Sequence, residues 1–144
     1  MHPKITFPGV LAPIIDDLAT PLHARLRRDP ARETDNATEV SLAQGYTVDA
    51  SGFKGAEHLD VLLEDLRQFM SVVMEVGEAR DTYRVNLVRG PVPGCPDGSA
   101  ERHRLDVTDA ACEIVAEEMD GLRRAVFRLQ DEMLIRRAPI LPLG

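Results

Sequence analysis

Apolar and polar residues alternate along this chain in two periods, one close to 3.6 and one of two, and the switches between them mark the expected elements. Leu11, Ile15, Leu18, Leu22 and Leu26 fall three or four apart, one face of a helix over 10–28. Pro21 lacks an N–H and disfavours a helical Thr20, so a kink or restart falls there, with Thr20 placed to cap the second piece. Val40, Leu42, Tyr46 and Val48 then alternate with Ser41, Ala43, Gly45 and Thr47, which predicts a half-buried strand with Gly45 as a bulge. Leu59, Leu63, Leu66, Met70, Val73 and Gly77 return to helical spacing over 56–80. Leu62, Phe69 and Val76 add a second row, making a stripe wide enough to need a sheet or two neighbours as cover.

Period two resumes after Asp81. Tyr83, Val85 and Leu87 predict a second strand over 82–89, and His103, Leu105 and Val107 a third over 102–107. Between them, residues 90–98 hold three prolines and three glycines, a stiff surface loop across which the two strands pair most simply as a hairpin. The last helix is expected over 108–137. Cys112, Val115, Met119, Leu122, Val126, Leu129 and Met133 keep a three-four spacing, with Thr108 or Asp106 to cap its start and Pro139 past its end.

This order predicts an α+β domain: three helices, two of them long, packed on a small, mostly antiparallel sheet of about three strands. Residues 1–9 read as an N-terminal arm, 10–137 as a single domain and 138–144 as a C-terminal arm. Ile5-Thr6-Phe7 and Ile140-Leu141-Pro142-Leu143 are apolar segments flanked by proline. Each can add to a neighbour's sheet edge, fill a neighbour's groove, or fold back on its own domain.

Charge narrows the classes. The chain carries 24 acids against 17 bases, a formal net charge of −7, which argues against a nucleic-acid-binding domain. The only compact basic cluster, Arg25, Arg27 and Arg28, keeps a nucleic-acid adaptor as a minor alternative. All bases but Lys4 and Lys54 are arginine, a bias expected of a GC-rich bacterial or phage genome. No apolar run approaches the ~20 residues that cross a bilayer, so no membrane partner is expected. The first residues do not have the form of a signal peptide, which points to the cytoplasm or a particle assembled there.

The candidate chemistry is sparse. Cys95 sits in the rigid loop with His103 and Arg102 as the nearest activating groups, so a small enzyme with a site near 90–104 is an alternative. No base-and-orienter signature surrounds it. Cys95, His103 and Cys112 lack the paired spacing of zinc ligands, and no Gly-rich phosphate loop is present, so no metal or cofactor is expected.

The final helix is more informative. Asp106, Asp109, Glu113, Glu117, Glu118 and Asp120 fill its first half, whereas Arg123, Arg124, Arg128, Arg136 and Arg137 dominate its second against Asp131 and Glu132. This gradient either complements the helix dipole or matches an antiparallel partner. Phe127 and Leu134 lie off the main seam, so a second side of the helix is apolar, which a partner subunit would cover. The expected function is therefore a non-catalytic assembly subunit that self-associates or joins a larger complex, a phage or phage-like particle component being one concrete form. Its interface candidates are Ile5, Phe7, Met119, Leu122, Val126, Phe127, Leu129, Met133, Leu134, Ile140, Leu141 and Leu143.

Overall fold

The computed structural model describes residues 28–92 and 102–144. The N-terminal arm, almost all of the first expected helix and most of the Pro/Gly loop, with Ile5, Phe7, Arg25, Arg27 and Cys95, lie outside the described residues. Within them the order is β1 (Glu39–Ser41), β2 (Tyr46–Asp49), a 3₁₀ turn (Ser51–Phe53), α1 (Leu59–Gln68) extended by a π-helical turn (Phe69–Val73), β3 (Tyr83–Arg89), β4 (His103–Val107), β5 (Ala111–Ala116), α2 (Met119–Arg136) and β6 (Ile140–Pro142). A four-stranded sheet runs β2-β3-β5-β4, and β1 pairs with β6 in a second, two-stranded sheet.

This corrects the expected architecture. Among the described residues there are two helices and two sheets totalling six strands, rather than three helices on one sheet of about three strands. The larger sheet is also mainly parallel, since β2–β3 and β3–β5 are parallel and only β4–β5 is antiparallel.

Each difference has a local cause. The expected helix over 108–137 divides because two periods coexist at its start. Cys112, Ile114 and Ala116 alternate and are all fully buried, so burial selects a strand there. Thr108 does not cap a helix. Its amide and hydroxyl both engage the Ala111 carbonyl, and its hydroxyl also accepts from the Ala111 amide, closing a tight β4–β5 turn. The expected strand around 40–48 divides at Gly45, whose φ of +123° and bond from its amide to the Leu42 carbonyl send β1 and β2 to different sheets. The expected 82–89/102–107 hairpin does not form because the more apolar β5 inserts between β3 and β4 and leaves β4 at the edge.

The C-terminal segment is extended, as expected, but it folds back on its own domain. Ile140 and Leu141 are buried, β6 runs antiparallel to β1, and Gly144 exchanges two backbone hydrogen bonds with Val107. Glu39 fastens this corner. Its carboxylate accepts from Arg136 Nε at 2.9 Å, Arg32 Nη2 at 2.7 Å and the Asp35 amide at 3.1 Å. Those donors, Arg32 foremost, hold the Glu39 carboxyl at about 2, well below its ordinary 4.5.

The helices share one face of the larger sheet. Tyr83, Val85 and Leu87 of β3, with Cys112, Ile114 and Ala116 of β5, meet Leu62, Leu66, Leu122, Val126 and Leu129 in a single core. The opposite face is mixed, with Asp49, Asn86 and Glu113 in register across three strands and Val88 beside Val115 further along. Close packing of α2 on β4 needs Gly121, because a Cβ there would collide with the Arg102 carbonyl oxygen.

Candidate functional site

The helix layer presents a groove on its outer side. α1 and α2 lie side by side and point the same way. Their N-terminal residues line one depression, while the carbonyls of Val73 and Arg137, just past the far ends, accept hydrogen bonds from the consecutive amides of Arg28 and Asp29. The depression has a volume of about 390 Å³. From α1 it takes His58, Val61, Leu62 and Asp65, and from α2 Met119, Arg123 and Phe127.

Helical spacing explains which side chains reach it. Leu59, Leu62 and Leu66 turn towards the sheet and are buried, so Val61, one residue off that row, turns outward and is 69% exposed. In α2, Leu122, Val126 and Leu129 take the buried row, and Phe127 turns outward at 44% exposed. Asp65 Oδ2 accepts from Gln130 Nε2 at 3.4 Å across the two helices. Arg123 Nη2 donates to Asp120 Oδ1 at 3.2 Å along the rim. His58 opens α1 with a left-handed backbone, φ 64°, and no side-chain cap.

The expected interface residues separate into three groups. Met119 and Phe127 line the groove, with Leu134 half-buried on the same helix. Leu122, Val126, Leu129 and Met133 fill the chain's own core, as do Ile140 and Leu141, while Leu143 is half-buried against it. Ile5 and Phe7 lie outside the described residues. His58, Val61 and Asp65 escaped the sequence reading, while Leu62 and Arg123 were read only as part of an apolar stripe and a charge gradient. The signal was present for Val61, an apolar residue off the buried row of its helix as Phe127 is on α2.

Of the chemical candidates, Cys95 lies outside the described residues, and His103 and Cys112 fall at opposite ends of the β4–β5 pair. Cys112 is fully buried on β5, and burial pushes its thiol up to about 12, so it is not a thiolate nucleophile at neutral pH. His103 is half-buried on the edge strand β4. Among the described residues no three His, Cys, Asp or Glu side chains gather as metal ligands would, and no helix is long and apolar enough to cross a membrane. A smaller depression of about 220 Å³ on the open sheet face is lined by Thr47, Val48, Asp49, Arg84 and Asn86 and is mainly polar. The α1–α2 depression has an apolar floor between the two helices and is rimmed by charges of both signs. No protein-family model matches the chain, and no curated protein sequence matches it.

Proposed function

We propose that this chain is a non-catalytic assembly subunit that docks on protein through the outer face of α1 and α2. The observation that carries this reading is the outward placement of Val61 and Phe127 across one apolar groove, with Leu62 and Met119 beneath them. Two exposed apolar side chains lining one preformed depression favour burial by a partner, because covering each apolar Å² is favourable by about 25 cal/mol. Helix-in-groove recognition fits the shape: apolar anchors three and four residues apart would lie along the floor while rim charges set orientation.

A selection from a random displayed-peptide library against the full chain tests this reading. The expected result is enrichment of sequences with apolar residues at i, i+3/i+4 and i+7, abolished by Phe127→Asp. Failure to enrich such peptides, or equal enrichment on the Phe127→Asp chain, would overturn it.

A further inference from the structure

We infer that the partner seated on the α1–α2 face is a second copy of the same chain, related by a two-fold axis parallel to the two helices. The inference rests on the docking reading above and goes further by naming the occupant. Its basis is the distribution of charge on the two walls. α1 carries Asp60, Glu64 and Asp65 against one base, Arg67, which reaches Glu64 at 3.8 Å and Glu78 at 2.5 Å. Residues 119–128 of α2 carry Arg123, Arg124 and Arg128 against Asp120, with Asp131 and Glu132 following on the next turn. The first wall is net acidic and the first half of the second is net basic.

The levels of these charges match as well. The Asp65–Gln130 hydrogen bond, and the depression that His58, Val61, Leu62 and Asp65 share with Met119, Arg123 and Phe127, place residues 58–65 of α1 at the height of residues 119–130 of α2. Asp60, Val61 and Glu64 therefore lie within about one helical turn of Arg124, Phe127 and Arg128. A two-fold axis parallel to the helices keeps every level and exchanges the walls, so α1 of one copy lies on α2 of the other. Asp60 and Glu64 then face Arg124 and Arg128 of the partner subunit, and Val61 faces Phe127 of the partner subunit. Both sets of contacts occur twice. The other in-plane two-fold axis, perpendicular to the helices, lays α1 on α1 and α2 on α2 and sets the acids of α1 against their own copies. Nothing asymmetric is needed to satisfy the face, because it complements itself.

Sedimentation velocity of the full chain over a concentration series, with charge reversal, tests the inference. The parent chain is expected to pass from monomer to dimer. Arg124→Glu with Arg128→Glu, and separately Asp60→Arg with Glu64→Arg, are expected to weaken the dimer on the order of tenfold or more, because each sets like charges face to face. Mixing those two variants is expected to give a heterodimer tighter than either homodimer, and combining all four changes in one chain is expected to restore the parent's association. All four positions are exposed, so unchanged urea midpoints are expected to show that each variant folds. A parent chain that stays monomeric while groove-binding peptides still enrich would overturn the second copy and leave the docking reading intact. A dimer indifferent to charge reversal, or one that the four-fold change fails to restore, would overturn the proposed pairing of walls.

Discussion

Leu129 and Phe127 are two residues apart on α2 and belong to different worlds. Leu129 is 1% exposed, enclosed by the sheet and by Leu122, Val126 and Met133 of its own helix, whereas Phe127 stands 44% exposed over the groove. The first face is satisfied within the chain. The second is preformed but uncovered, and that contrast separates what folds this protein from what it is proposed to do. A helix with one apolar stripe needs only its own domain, and a second apolar site, backed by a charged rim, points outside it.

The contrast can be broken most forcefully from the buried side. Leu129→Ala is expected to cost about 2–5 kcal/mol of stability, measured by urea unfolding, because it leaves a cavity in a close-packed core. Phe127→Ala in the same assay, at concentrations where the chain is monomeric, is expected to stay within about 0.5 kcal/mol. Similar costs at both positions would mean that the outer face is as structural as the inner one.

Ion pairs extend the comparison. Glu39 is 9% exposed at its side chain and joins β1 to Arg136 at the end of α2, whereas Asp120 and Arg123 are each about half exposed. Glu39→Gln is expected to cost about 1.5–3 kcal/mol at neutral pH, the range for hydrogen bonds to charged groups. Asp120→Asn is expected to cost no more than about 1 kcal/mol. The pH dependence has a definite sign. The folded-state carboxyl of Glu39 sits at about 2 and its ordinary value is 4.5, so its contribution is present above 4.5 and is lost as pH falls towards 2. Urea midpoints of the parent and the Glu39→Gln chain should therefore converge as pH is lowered through that window. A gap that widened on acidification would contradict the assignment.

The smallest expected change is a gain. Arg137 ends α2 in a left-handed conformation, φ 52°, with the Ala138 amide bonded to the Met133 carbonyl, a closure that glycine adopts without strain. Arg137→Gly is expected to raise stability by about 1 kcal/mol in the same urea assay. It lies at the opposite end of α2 from the groove and should leave association unchanged.

These features differ in how far the residues alone disclosed them. β3 and β4 were legible almost to the residue, because Tyr83/Val85/Leu87 and His103/Leu105/Val107 alternate without competing periodicity. β5 was not. Cys112, Val115 and Met119 continue the seam of α2 as faithfully as Cys112, Ile114 and Ala116 alternate, and the choice was made by neighbours on both sides of the strand. The parallel β3–β5 pairing joins segments separated by a long loop and by β4, information that no local pattern carries. The apolar residues of the tail 138–144 pointed equally to a neighbour and to home, and the pairing of Ile140–Pro142 with β1 decided for home. Of the groove, Met119 and Phe127 were visible as candidates. Val61 lay outside both apolar rows of its helix, a signal as plain as that of Phe127 on α2.

The central claim is that the outer face of α1 and α2 is where this chain meets another copy of itself. Sedimentation equilibrium of the full chain beside the Phe127→Asp chain tests it most directly. The account predicts a mass rising from 15.9 kDa towards twice that value with concentration for the parent, and a mass fixed at 15.9 kDa for the variant with its unfolding midpoint unchanged. A parent that remains at 15.9 kDa throughout, or a variant that associates as the parent does, would contradict it.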